Sequence, residues 1–341
     1  MYRSFAICFL MLLGFTGLHA QKIRDFEIYL SGNKINNSYY NTIKCLDSRP
    51  DTTNMGMVQL GAFNRKAKVV PKKPLLQQLS AVFNSQIDET AKTGELILQI
   101  RQFSFAEVTA GFSEKGYCSI RAEAYAKQAD RYQKVNTLDT IICLKSGMDV
   151  TDTIIKSGAI NISNFIAVSL LKQAAGPSYT YADIMAIDDY EKQQLKLFTT
   201  NAYTDGLYLT YQSFRDQRPD QQFTADADDP NIATIKTTGT DGKQQKVKAK
   251  NVYAIVYKGQ PYISNSTDYC PLKKVNNDLL FTGHAKISAN STQVMTASML
   301  FGVLGGLLAA NDASTFEMKI DHKNGAFIRL REIIPKPYEQ Q

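Results

Sequence analysis

Catalytic and metal chemistry rests on a few residue types, and this chain is sparing with them. Of its three histidines, His19 lies in an apolar leader, which leaves His284 and His322. Neither has a second histidine, a cysteine or a carboxylate at ligand spacing such as H-E-x-x-H, so no metal site or nucleophile–base pair is read. His284 follows Gly283 at a strand start and reads as structural. His322, beside Asp321 next to a turn, reads as solvent-facing. The carboxylates Asp226, Asp228 and Asp229 could open a calcium loop. Pro230 takes the third alternating ligand position, however, and no glycine follows it, so a solvated loop is expected. There is no G-x-S-x-G elbow, phosphate loop or dinucleotide fingerprint. No catalytic, cofactor-binding or metal residue is therefore assigned, and no cofactor is expected.

Two groups of residues remain as candidates. Outside the leader the cysteines are Cys45, Cys118, Cys143 and Cys270, none in a C-x-x-C pair. In an oxidising compartment an even number permits disulfides. Tyr117–Lys127 and Tyr132–Leu144 read as the two strands of a hairpin. With a two-residue loop at Asp130 and Arg131, positions summing to 261 face each other, which sets Cys118 against Cys143 as a cross-strand disulfide. Tyr253, Tyr257 and Tyr262 fall on a second expected hairpin and form a possible recognition surface.

The elements that must position these residues begin after the leader. Arg3, an apolar run from Phe5 to Leu18 and small Ala20 follow the order of a secretory signal peptide over residues 1–20, with export expected and the final compartment open among periplasm, outer membrane and medium. Without the leader, Lys+Arg falls from 39 to 38 against 32 Asp+Glu, a net charge of +6. The basic clusters Arg65–Lys73 and Lys246–Lys250 read as solvated strand faces, and no nucleic-acid partner is expected. At 341 residues two domains are favoured. Residues 21–176 should form an α+β unit of helix (Pro74–Thr90), strand (Glu95–Phe105), hairpin and helix (Ile160–Gln173). Residues 177–200 follow Gly176 as a linker helix over Asp183–Phe198, and residues 201–341 form a mainly antiparallel β domain. Asp241-Gly242, Lys258-Gly259 and Asn324-Gly325 are its hairpin turns. Val294–Ala310 is apolar, uncharged and interrupted by Gly302, Gly305 and Gly306. It is expected to form a buried helix packed through Gly302 and Gly306, with membrane contact as the competing role.

DGLYLTYQSFRDQRP (Asp205–Pro219), the strand that follows and YAIVYKGQPYI resemble, over residues 205–281, a module of uncharacterised exported proteins of Bacteroidetes-type bacteria, which implies no activity. Residues 75–171, with SIRAEAYAKQADRYQKVNTLDTII as their hairpin, are similar in pattern to small envelope lipoproteins that serve lipid-transport systems as auxiliary components. The anchoring lipobox cysteine of those proteins is missing here. The function expected from all this is a non-catalytic exported protein with a binding or structural role, its partner an envelope protein or a lipid. The alternatives are an exported hydrolase using paired carboxylates in the manner of glycosidases, and a membrane-inserting protein acting through residues 294–310.

Overall fold

A computed structural model describes residues 22–333 apart from 31, 62–64, 111–112, 147–148, 226–231, 233, 240, 265–268 and 285–314. The leader, the carboxylates at Asp226, Asp228 and Asp229, and the segment Val294–Ala310 lie outside the described residues. The fold is α+β.

The first sheet has eight strands: β1 (Lys22–Phe26), β2 (Thr42–Asp47), β3 (Gly56–Leu60), β4 (Arg65–Pro71), β5 (Glu95–Ala110), β6 (Ser113–Gln128), β7 (Arg131–Ser146) and β8 (Ser178–Tyr179). Their order is β1-β4-β3-β5-β6-β7-β8. β5 is long enough to take two parallel partners end to end on one edge, β2 along Glu95–Ile100 and β3 at Phe105–Ala106. Alternation sorts the side chains of β5 and β6. Leu96, Leu98, Ile100, Ile120, Ala122 and Ala124 enter the main core, while Ile97, Gln99, Glu123 and Tyr125 turn to the opposite face.

Two helices cover the core face. α1 (Leu75–Gln86) follows Pro74 and buries Leu75, Leu79, Val82 and Phe83 at the spacing of one helical side. α2 (Thr151–Leu170) begins nine residues before the expected start at Ile160. Its first turns are rich in Thr and Ile, which reads as extended, yet Thr151, Ile154, Ile155, Gly158 and Ala159 already follow the helical period and are buried. By length and composition α2 could cross a membrane, but here half of its most apolar stretch is buried in the fold.

Gly158 lets α2 approach the sheet. A Cβ there would lie 2.8 Å from the Phe105 ring and 2.9 Å from Cys118 Sγ. Gly158→Val is therefore expected to cost about 1–3 kcal/mol through overpacking. Thermal unfolding checks this, and an unchanged midpoint would show that the core yields at that point.

The β6–β7 register corrects the expected disulfide. The turn is Ala129-Asp130, with Ala129 at φ 56, and Gln128 faces Arg131. A bulge between Ala124 and Tyr125 then shifts the register, so that Tyr117 faces Cys143 and Cys118 faces Ile142. Cys118 is buried in the core, Cys143 is exposed on the other face, and both are free thiols, as are Cys45 and Cys270. A one-residue slip suffices because side chains alternate with period two.

The single linker helix expected over Asp183–Phe198 is three short ones: α3 (Tyr181–Met185), α4 (Ile187–Lys192) and α5 (Lys196–Thr199). Thr180 and Asp183 close a capping box on α3. The helix breaks because its apolar residues serve different clusters. Ile184 and Ile187 pack with Ile97 and Tyr125 on the outer face of the first sheet, while Leu197 and Phe198 enter a second core.

Around that second core, β9 (Gly206–Tyr208), β13 (Ala254–Tyr257), β14 (Gln260–Ser264) and β15 (Tyr269–Pro271) form one antiparallel sheet. β16 (Lys273–Val275), β17 (Asp278–His284), β18 (Thr315–Ile320) and β19 (Phe327–Glu332) form another. A small third sheet comprises β10 (Thr224–Ala225), β11 (Ile235–Thr238) and β12 (Gln244–Lys246), and α6 (Tyr211–Arg215) packs beside β9. Lys258-Gly259 makes the expected tight turn with φ of 50 and 75. Asn276-Asn277, with φ of 47 and 62, makes a second one between β16 and β17. Asn324-Gly325 instead lies in a longer loop, where Gly325 (φ 76) is pressed against the Tyr211 ring.

Candidate functional site

The outer face of the first sheet carries charged residues where a solvated face would be expected, and the rest of the chain covers them. At the β5–β6 bulge Ile100 faces Ala122 and Gln102 faces Arg121, which leaves Arg101 as the extra residue. Its side chain is only 4% exposed. It donates to Glu123 (3.3 Å), to Glu191 on α4 (2.7 and 3.2 Å) and to Asp188. Arg121 donates from Nε to Asp139 on β7 (3.0 Å) and from both terminal nitrogens to Asp321, after β18 (2.8 and 3.3 Å). Glu191 also accepts from His322 Nε2 (2.8 Å) and Lys323 Nζ (2.7 Å), and Glu123 from Lys134 (3.0 Å) and the Tyr125 hydroxyl. A seam between the first sheet and the last hairpin is thus filled by ion pairs.

Burial alone would raise the pKa of Glu191, but hydrogen bonds from His322 and Arg101, with the Arg101 charge, hold it far below the usual carboxylate range. The same contest is won by Arg101 and Lys134 at buried Glu123 and by Arg121 at buried Asp321, and Arg101 likewise lowers Asp188, whose side chain is exposed. Glu123, Asp188, Glu191 and Asp321 are therefore anions near neutral pH. Asp188, Glu191 and His322 bring one ligand atom each to within 4.8 Å of one another, a donor set suited in type to a transition metal. The Arg101 guanidinium lies on both carboxylates and the Lys323 ammonium on Glu191, so both are already paired with fixed cations.

Beside the network lies a cavity of about 210 Å³ lined by Arg49, Arg101, Ser104, Arg121, Ile328 and Leu330, among others. Its arginines are charge-paired within the chain, although the buried Arg101 Nε has no partner among the described residues. Arg49 pairs with Asp47 (2.7 Å) and donates to Thr52 O (2.9 Å), and the two central arginines are paired as above. The Ser104 hydroxyl is buried and has no partner among the described residues. What the cavity offers is an apolar wall from Ile328 and Leu330, one free hydroxyl and a neutralised charged rim. An apolar cavity of about 150 Å³ holds a benzene ring, so a slightly larger, mostly apolar group fits here.

The tyrosines proposed as a recognition surface are not brought together on one. Tyr253 is buried in the second core, its hydroxyl donating to Gly325 O at 2.7 Å. Tyr257 and Tyr262 are half-buried on the opposite side of their sheet, against a separate cluster with Ile255. They fill space because β13 is an interior strand between β9 and β14. His322, expected in solvent, is buried and belongs to the seam. The network residues come from five separate segments of the chain, on β5, β6, β7, α4 and the loop after β18. Their one local signal is Arg121-x-Glu123 between small alanines in a strand, a pattern that suits a wet face equally well.

No family model matches the chain, and no curated protein does. Among solved structures, a Xanthomonas campestris protein of the family DUF330 is similar at 9% identity, covering 50% of this chain and 99% of its own, with a TM-score of 0.29. A second, described only as an uncharacterised protein, is 12% identical and covers 43% of this chain and 96% of its own, with a TM-score of 0.24. Likeness at this level carries no argument about activity.

Proposed function

We propose that the chain is a non-catalytic exported protein of the envelope or medium that binds a small, largely apolar molecule or lipid-like group in the seam cavity. It would be built from an N-terminal α+β unit and a C-terminal β unit. The observation that carries the reading is the cavity itself, with an apolar wall, a buried hydroxyl lacking a partner among the described residues, and rim charges already neutralised inside the chain. The signal-peptide pattern of residues 1–20 supports export. The similarity of residues 75–171 to auxiliary lipoproteins of lipid transport supports the ligand class. A glycosidase-type hydrolase is less well supported, because that reaction needs one carboxyl kept protonated, and the seam carboxylates are held ionised.

The test uses indole, a neutral two-ring aromatic probe of modest size with one N–H that Ser104 Oγ could accept. The chain contains no tryptophan, so Leu330→Trp both fills the cavity and adds a reporter. Wild-type protein is expected to bind the probe saturably at one site. The Leu330→Trp variant should retain its unfolding temperature and lose at least ten-fold in affinity. Absence of saturable binding, or binding unaffected by the tryptophan, would refute the proposal.

A further inference from the structure

β7 pairs with β6 along its whole length, but on its other side β8 reaches only Tyr132 and Gln133. Beyond these, Lys134 N donates to Pro177 O (3.0 Å), and Lys134 O accepts from Ala175 and Gly176 (3.3 and 3.0 Å). Past the bulge at Val135 no described strand lies beside Thr137–Lys145. The outward bonds of Lys134 and the one-residue bulge fix the parity. The N–H and C=O groups of Thr137, Asp139, Ile141, Cys143 and Lys145 point to the open side. Proteins usually blunt such an edge with proline, glycine bulges or clustered lysine. Residues 136–146 contain neither Pro nor Gly, and their two charges, Asp139 and Lys145, have opposite signs.

We propose that this edge pairs with the same edge of a second copy of the chain, antiparallel, about a two-fold axis at Ile142. The charges select this register. With the axis at Ile142, Asp139 lies opposite the partner's Lys145 and the reverse, so two ion pairs form, and Ile141 lies opposite the partner's Cys143. Moving the axis to Ile141 sets Asp139 against a cysteine and Lys145 against a threonine. Moving it to Cys143 sets Lys145 against an isoleucine. Asp139 retains Arg121 on one oxygen and is 35% exposed, leaving room for a second cation. On the other face Leu138, Ile142 and Leu144 are half-buried at the rim of the main core. The partner's Ile142 would continue that apolar face across the axis, as an isologous contact requires.

Sedimentation equilibrium on the full chain at micromolar concentration should give twice the 38.1 kDa chain mass. Ile141→Pro removes an N–H that bonds nothing among the described residues, and proline is tolerated at such an outward edge position. The variant should be monomeric with an unchanged circular dichroism spectrum. Ile141→Cys should form a covalent dimer on mild oxidation, because residues that exchange both backbone bonds across an antiparallel pair are about 5.5 Å apart at Cα, within disulfide reach. Cys143 of the unmodified chain, opposite an isoleucine, should not. A monomeric native chain overturns the proposal and leaves the edge to a strand from another protein. A dimer that survives Ile141→Pro overturns it too, as does a dimer that Ile141→Cys fails to cross-link. If Ile141→Pro does not fold, the cross-linking result decides alone.

Discussion

Replacing Arg101 with leucine is expected to destabilise the protein by about 3–5 kcal/mol, the cost of leaving buried charges without their counter-ion. Arg101 is the only described cation that touches all three of Glu123, Asp188 and Glu191. Glu123 is 1% exposed, so water cannot take over the role of the guanidinium. Lys134 would remain on Glu123, and Lys323 and His322 on Glu191, which should keep the effect within that range rather than abolish folding. Arg101→Lys should recover part of the loss, since an ammonium supplies the charge but not the fork that reaches three carboxylates. Urea unfolding measures the difference. A midpoint shift under a tenth of the wild-type value for Arg101→Leu would mean that the seam is hydrated and its ion pairs contribute little.

The second large effect is set by pH. Glu107, on β5, is 1% exposed, accepts from Gln59 N at 2.7 Å through one oxygen, and has no partner for the other among the described residues. Burial pushes its pKa up to about 7. The hydrogen bond from Gln59 opposes the rise, and the charges of Asp149 and Glu114 add to it. Below the unfolded value near 4.5 both states hold the proton, and Glu107 costs nothing. Between about 4.5 and 7 the unfolded chain releases its proton while the folded chain keeps it, so stability falls as pH rises. Above 7 the full penalty of about 3 kcal/mol is present. Glu107→Gln keeps an acceptor for Gln59 and cannot ionise. The variant should match wild type at pH 4.5 and exceed it by about 2–3 kcal/mol at pH 8. Parallel stability curves for the two proteins from pH 4.5 to 8 would rule out this origin.

Legibility in the sequence followed locality. α1 and the three long strands were readable because their side chains keep one period over six residues or more before any bulge interrupts it. α2 was legible only from Ile160 on, since its first turns carry Thr and Ile, whose preference is extended and is overridden here by burial against Gly116 and Phe105. The hairpin was legible, but its register was not. The true turn lies one residue earlier than expected, a change of two in the pairing sum that would have kept Cys118 and Cys143 on one face. The bulge returned one of the two and put them on opposite faces. The seam was illegible for a different reason. Arg101, Glu123, Glu191 and Asp321 each look like ordinary surface residues in their own segment, and only the folding of distant elements over the outer face of the sheet buries them together.

The ion pair between Arg121 and Asp321 joins positions 200 residues apart, and this imposes an order in time. Ribosomes add about 5–20 residues per second, so of the order of 10–40 s separates the synthesis of the two partners. In that interval the first sheet can form its core with α1 and α2, both of which precede Leu171, while Arg121 has only Asp139 for company. Its outer face can close only when the last hairpin arrives. Ribosome-bound chains stopped before Thr315 should therefore hold a folded inner layer with α3 and α4 on its outer face, but with the Arg121 end of that face still open to chaperones and proteases, as it no longer is in the finished chain.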